Sequence, residues 1–275
     1  MKLTEALEIL KGVKSRKGEV FTCLLATGMN PLHLNTFLAA ELGLFFLDQR
    51  IEIQSGLYGD FVGNLGRLAS AEADCAIVLI EWSDLDPRLG IRNMAAWSSS
   101  IYSDILSTVR ARALEVQQAI EKACQRMPVI LSMPTLPLPP VSFVPGWQAS
   151  PFEIELKAAV HSVASHVSQY AQVRVLNPQR IDFVSPLQER FDLESELLTG
   201  FPYKLPHASA LANLLACLTR SRLPRRDSSP IWMTHCGEAF SAKSGLMAFR
   251  GTWTITARCT LSTSVCSARF RVRVC

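Results

Sequence analysis

Val20-Phe21-Thr22-Cys23-Leu24-Leu25-Ala26 runs directly into Thr27-Gly28-Met29-Asn30-Pro31, and this junction decides the fold. Seven residues without polar alternation read as a strand buried on both faces, which is the habit of a parallel sheet. Pro31 suits the first turn of a helix, and Leu32, Phe37, Leu38 and Leu42 supply its apolar stripe. The same alternation continues outward from this unit. Met1 to Lys17 is charged and helix-patterned, Arg50 to Gln54 alternates as a short strand, and Phe61 to Ala69 reads as a helix. Cys75 to Trp82 (CAIVLIEW) is a second buried strand, followed by a long helix from about Ser100 to Arg126. Pro128 to Met133 and Val173 to Leu176 read as strands, and Phe152 to Tyr170 and His207 to Thr219 as helices. Ser185 to Leu198 carries a weak helical pattern. Pro134 to Pro151 holds six prolines and a Trp, too rigid for a helix and too apolar for a solvated linker, so it is expected to fold over the sheet end. The fold class is α/β: a three-layer sandwich around a mostly parallel five-stranded sheet of the flavodoxin or SGNH-hydrolase type. Functional groups then gather at the carboxyl ends of the strands.

Composition fits an ordinary globular protein, with 48% hydrophobic and 19% charged residues. The net charge of +4 does not point to nucleic acid, because from Ser228 onward there are six basic residues against one acid, leaving the first 227 near −1. No run of eighteen apolar residues occurs, so no membrane span is expected. The N-terminal stretch lacks the basic and apolar regions of a secretory signal. Cys23, Cys75, Cys124 and Cys217 are widely spaced without a C-x-x-C pair, as in reduced, buried thiols of a cytoplasmic protein. No metal ligand set is expected.

Near Leu223-Pro224 these rules stop applying. From Asp227 to Cys275 no period of 2 or 3.6 persists. Cys236, Cys259, Cys266 and Cys275 crowd together, and after Asp227 the sole acid is Glu238, against Lys243, Arg250, Arg258, Arg269, Arg271 and Arg273. Reading codons from the last base of each residue, Trp232-Met233-Thr234 forces Asp-Asp. The window around it is compatible with G-L-I-T-D-L-D-D-T-L-W. Met247 to Thr256 similarly permits G-V-S-W-D-L-D-H-H. D-x-D-x-T after an apolar strand is the nucleophile motif of the haloacid dehalogenase (HAD) superfamily. Residues 225–275 are therefore read as an out-of-frame remnant of the start of a HAD phosphatase domain, expected to lack order, after an α/β body of residues 1–224.

Four stretches of the body carry a resemblance: A-T-G-x-N-P-L-H-L (Ala26 to Leu34), G-L-Y-G-D (Gly56 to Asp60), E-W-S-D-L-D-P-R-L-G (Glu81 to Gly90) and G-F-P-Y-x-L-P-H (Gly200 to His207). They resemble the N-terminal, SGNH-like domain of FkbH-like HAD-IIIC proteins of polyketide pathways. The resemblance covers essentially the whole body, and the shifted tail resembles the start of the same family's catalytic domain. It implies an enzyme that dephosphorylates an activated phosphoglycerate and loads a glyceryl-type unit onto an acyl carrier protein. The reaction would use an aspartate nucleophile and Mg²⁺. No Asp follows Asp227, so no HAD catalytic residue carries over. What remains is an accessory domain without a cofactor of its own, whose partners would be an acyl carrier protein or a small phosphorylated or acyl substrate. The alternative is an SGNH-like hydrolase of an acyl ester or thioester.

Candidate site residues follow from both readings. Thr27 is either a nucleophile or a hydroxyl capping the turn before Pro31, with Gly28 giving that turn backbone freedom. His207 is either a pocket base or a helix-entry histidine bonded to backbone, and it lacks an acid three residues upstream, where Lys204 stands. Ser83 is the other candidate nucleophile. Asn30, Tyr58, Asp60, Trp82, Asp84, Asp86 and Arg88 share the strand-end edge as candidate binding groups. The acids could hold a cation or Arg88 an anion, or Asp84 and Asp86 could cap backbone donors and pair with Arg88 in a self-satisfied turn. His33, His161 and His166 read as surface or boundary residues. Gly59, Gly63 and Gly66 miss the G-x-G-x-x-G register, and Arg220 to Arg226 reads as a linker. Sequencing the coding DNA across codons 215 to 240 is expected to show a phosphatase domain opening in the shifted frame. A shifted frame closed by stop codons would remove the frame-disruption reading.

Overall fold

In the computed structural model, strands β1 (Val20–Ala26), β2 (Arg50–Ser55), β3 (Cys75–Leu79), β4 (Val129–Ser132) and β5 (Val173–Val175) form one sheet, every neighbouring pair parallel, in the order β2-β1-β3-β4-β5. Residues 1–93, 99–139, 145, 147–220, 254–261 and 264–271 are described, with the backbone alone for 99–100, 254–261 and 264–271. The chain divides into two units, Met1–Leu223 and Pro224–Cys275. Among the described residues no helix is long and apolar enough to cross a membrane.

Alternation along the strands builds the two cores. Leu24, Ala26, Ala76 and Val78 point to one face, where Phe61 and Leu65 of α3 (Phe61–Arg67), Ile105, Val109 and Val116 of α5 (Ser99–Ala123), and Leu156 and Val160 of α6 (Pro151–Val167) cover them. Cys23, Leu25, Cys75, Ile77 and Leu79 point to the other, under Ala6 of α1 (Leu3–Lys14), Phe37 and Leu38 of α2 (Leu32–Phe45), and Leu211 and Leu215 of α9 (Leu205–Arg220). Side chains sandwiched this way contribute about 1.5–3 kcal/mol each when fully buried, which is why β1 and β3 need no polar face. Cys23, Cys75 and Cys124 are buried thiols.

Differences from the sequence reading cluster after β3 and β5. The strand expected to reach Trp82 ends at Leu79, and Trp82 opens the single-turn helix α4 (Trp82–Leu85). The Asp84 carboxylate accepts the Glu81 N–H at 2.9 Å and turns the chain there. Where one weak helix was expected over Ser185 to Leu198, the chain forms a 3-10 turn (Leu187–Glu189) and α8 (Leu193–Thr199), and before it α7 (Pro178–Val184), which the sequence reading had not marked. Caps fix where both helices start: Asn177 Oδ1 accepts from Gln179 N with Pro178 in the first turn, and Asp192 Oδ1 accepts from Ser195 N. Of the proline-rich segment, residues 134–139 lie along the end of β3, while 140–144 and 146 fall outside the described residues, as do 221–226 of the expected linker. In the tail, where no order was expected, β6 (Thr254–Leu261) and β7 (Ser264–Arg271) pair antiparallel.

One buried amide holds the loops that shape the sheet edge. Asn64, 4% exposed, donates Nδ2 to Thr27 O and to Leu57 O at 2.8 Å and accepts Leu57 N at 2.9 Å through Oδ1. Asn64→Ala leaves these backbone groups without their partner and is expected to cost about 2–4 kcal/mol. Urea denaturation of the full chain measures this, and a loss below about 1 kcal/mol would show that water replaces the amide.

Candidate functional site

The segments following the first four strands converge at the carboxyl edge of the sheet. Gly28 and Met29, residues 58–61, residues 81–84 and residues 136–139 surround a cleft of about 540 Å³, with Arg112 of α5 and Gly200 and Pro202 completing its wall. That volume lies in the range of sites for small organic ligands. Of the sequence-derived candidates, Gly28, Tyr58, Asp60, Trp82, Ser83 and Asp84 line it; Thr27, Asn30, Asp86, Arg88 and His207 do not.

The acidic cluster after β3 resolves into two parts. Asp86, 1% exposed, receives Arg88 N and Nε through Oδ1 at 2.9 Å and Nη2 through Oδ2 at 2.6 Å, and Arg88 Nη1 reaches Asp104 at 2.6 Å. This is the self-satisfied turn, and it leaves Arg88 no free fork for an anion. Asp84 stands apart from it. Its carboxylate accepts the N–H of Glu81 and lies close to the Gly28 backbone, and a Cβ on residue 28 would lie 2.1 Å from Asp84 Oδ1, so only glycine fits there. Burial pushes Asp84 up to about 7, helped by the Glu81 charge and opposed by the backbone N–H groups of Glu81 and Gly28 and by Arg112. Asp60 caps α3 through Gly63 N at 2.9 Å while facing the cleft. Trp82 packs against the proline-rich segment, its Nε1–H donating to Leu136 O at 3.1 Å.

Thr27 caps nothing: its hydroxyl is buried and meets no partner among the described residues. The entry to α2 is bonded instead by Asn30, whose Oδ1 accepts Leu32 N at 3.3 Å. Asn30 also donates Nδ2 to Thr199 O, and its N–H donates to Gly200 O at 3.0 Å. Gly200 ends α8 in the left-handed region (φ 76°), and the Tyr58 ring occupies the space a side chain there would need.

His207 opens the last helix but is held inside it, with no exposure. Glu81, 2% exposed, accepts Thr135 N (3.1 Å), the Thr135 hydroxyl (2.7 Å), the Tyr203 hydroxyl (2.6 Å) and Leu136 N (3.2 Å). The single hydroxyl proton of Thr135 goes to Glu81, so that oxygen accepts from His207 Nε2–H at 3.0 Å; Nδ1 then accepts the Ser185 hydroxyl at 2.9 Å. Arg190, 2% exposed, closes the network through Ser185 O, Thr135 O (2.7 Å) and Asp182 (2.6 Å). Burial, with the Arg190 charge adding to it, lowers His207 to about 3, and burial raises both Glu81 and Tyr203. The sequence reading missed Glu81, Thr135, Ser185, Arg190 and Tyr203 as a unit. The E-W-S-D and F-P-Y stretches were the visible signal for the first and last of these.

The arrangement can bind a small molecule, but among the described residues it joins no nucleophile on the cleft to a histidine base. Ser185 does bond His207, yet it is 5% exposed and does not line the cleft. The magnesium implied for the phosphatase half finds no matching donors. No Asp follows Asp227, and among the described residues no group of three or more His, Cys, Asp or Glu side chains is poised for a metal.

No family model and no curated protein matches the chain. Among solved structures, the N-terminal part of BF1531 from Bacteroides fragilis, described as containing a phosphatase domain and complexed with Mg, is similar with a TM-score of 0.56 at 14% identity. It covers 76% of this chain and 55% of that one. A protein from Parabacteroides merdae described as a GDSL-like lipase gives 0.42 at 13% identity, over 74% and 98% of the two chains. Est24, a carbohydrate acetylesterase from Sinorhizobium meliloti, gives 0.37 at 12%, over 73% and 97%. The present chain thus spans just over half the length of the BF1531 piece, and that likeness establishes a shared fold.

The neutral state of His207 has a sign in stability. Its folded value of about 3 lies below the unfolded value of about 6.5, so stability is complete above 6.5 and drains away as pH falls toward 3. At pH 5 the expected loss is about 2 kcal/mol. Urea midpoints at pH 5 and 7 should show it, and His207→Gln should flatten the difference. An equal acid sensitivity in both chains would assign it to other groups.

Proposed function

We propose that the body of this chain is the accessory, ligand-binding half of an FkbH-like enzyme and performs no turnover of its own. The observation that carries this reading is the sealing of His207: both ring nitrogens are engaged by buried hydroxyls, and neither meets a group on the cleft. General-base catalysis needs a histidine lone pair within reach of the nucleophile's proton, and here Nε2 carries a proton while Nδ1 is occupied.

Several features support the wider assignment. The four motif stretches of the FkbH-like resemblance include the turns that build the cleft: Gly28 and Met29, the Tyr58-Gly59-Asp60 loop, the Glu81 to Asp84 turn, and Gly200 with Pro202. A similar fold occurs in a protein described as containing a phosphatase domain. In this proposal the glyceryl-type chemistry and its Mg²⁺ belong to the HAD half that the frame disruption removes. The body contacts an acyl carrier protein or receives the acyl unit it bears. Three buried thiols fit a reducing cytoplasm.

The alternative, a hydrolase of an acyl ester or thioester, draws on one observation. Ser83 is exposed on the cleft wall beside Asp84, a carboxyl held near neutrality. No hydrogen bond joins Ser83 to an acid or a histidine among the described residues, so the binding reading is preferred. The purified full chain, given p-nitrophenyl butyrate and butyryl-pantetheine, is expected to release product no faster than buffer. Phosphate release from an acyl phosphate should likewise stay at background. Turnover abolished by Ser83→Ala or His207→Ala would replace the accessory reading with the hydrolase.

A further inference from the structure

Among the described residues, the charged groups around the cleft are already committed, with two exceptions. Glu81 is saturated by four donors, Asp60 caps α3, and Glu196 pairs with Arg92 at 3.0 Å. The first exception is Arg112. It stands on the cleft wall, one-quarter exposed, with Nη1 donating to Glu115 at 2.5 Å and a buried Nε that meets no acceptor among the described residues. Its charge is near enough to favour the ionised form of Asp84. The second is Asp84 itself, which lines the same cleft against Gly28; its carboxyl accepts the Glu81 N–H, and in the neutral form its own proton is without an acceptor among the described residues. An underused guanidinium beside an acid that retains its proton near neutrality makes a donor pair, and a donor pair calls for an acceptor. The rest of the wall is predominantly apolar: Met29, Phe61, Trp82, Leu89, Leu138 and Phe191.

We propose that the cleft is a site for a small organic carboxylate with an apolar body, its carboxylate held by the Arg112 guanidinium and by the acid proton of Asp84. This rests on the reading of the cleft as a binding site and names the class of molecule that it takes. Binding is linked to one proton. The groups that face Asp84 are Glu81, whose N–H bonds it and whose charge raises it, the Gly28 N–H, Arg112 from α5, and the Tyr203 hydroxyl from the segment before α9. An incoming carboxylate adds a second negative charge next to Asp84 and so selects the protonated acid. The proton comes from solvent, and affinity falls as pH rises through about 7.

Isothermal titration of the full chain with hexanoate, with hexanol as the neutral control, tests this. Between pH 6 and pH 8 the hexanoate affinity should fall about tenfold, the change for one proton leaving an acid with a midpoint near 7. Titrations at pH 7.5 in buffers of different ionisation enthalpy should register proton uptake. Arg112→Met should weaken hexanoate at least about tenfold while leaving hexanol unchanged, and Arg112→Lys should restore part of the loss. Asp84→Asn should remove the pH dependence. Equal affinity for hexanoate and hexanol, affinity rising with pH, no binding at millimolar concentration, or a wild-type affinity in a folded Arg112→Met chain would each overturn the carboxylate site. Refusal of hexanoate by a cleft that still takes butyryl-pantetheine overturns this inference and leaves the accessory reading standing. Hexanoate binding together with thioester hydrolysis does the reverse.

Discussion

A carboxylate buried at the end of β3 sets the terms for everything around it. Taking Glu81 out of water costs several kcal/mol unless its oxygens are met, and four donors meet them. Two of the donors are backbone N–H groups of Thr135 and Leu136, so the segment after β4 is bound to β3 beyond the last ladder pair. A third is Tyr203, which brings the approach to α9 onto the same point. Removing any one of the donors leaves the charge undercompensated, so the loop, the strand end and the helix entry are fixed together.

The same constraint explains why the cleft lies where it does and why His207 lies outside it. Thr135 sends its proton to Glu81 and is thereby obliged to accept from the imidazole, which pins the tautomer and leaves Ser185 to fill the other nitrogen. The histidine serves the network and is unavailable to a ligand. On the other side of Glu81, the chain turns through α4 and places Trp82, Ser83 and Asp84 on the cleft wall. One residue thus separates a sealed polar interior from an open apolar cleft.

Much of the architecture was legible because its causes are local. β1 came from an uninterrupted apolar run, and α2, α5, α6 and α9 from stripes of period 3.6. The end of β3 was misjudged because Ile80-Glu81-Trp82 looks like a continuing strand until the Asp84 side chain caps Glu81. α7 was missed although Asn177-Pro178 carries a helix-start signal, because the segment is short. The edge of the cleft could be read from the strand ends and the loop motifs, which is why six of the eleven named candidates lie on it. The state of those candidates could not be read. Whether Arg88 was free or spent on Asp86, and whether His207 faced solvent or Thr135, depends on partners far away in the chain. Arg112 sat unremarked in a long amphipathic helix, since nothing in its neighbours marks a cleft wall. The pairing of β6 with β7 had a local signal that the sequence reading passed over: Thr254 to Leu261 alternates polar and apolar residues, and Ile255, Ala257 and Cys259 stand in register with Phe270, Ala268 and Cys266.

The Glu81 to Tyr203 bond spans 122 positions, and the clasp of Asn30 on Thr199 spans 169. Both tie the segments after β1 and β3 to residues made late in the body, just before α9. A nascent chain can assemble the first four strands while Glu81 still lacks its phenol and the first βα turn still lacks its clasp. The cleft wall, which includes Gly200 and Pro202, is therefore closed only after the chain has been made past residue 203.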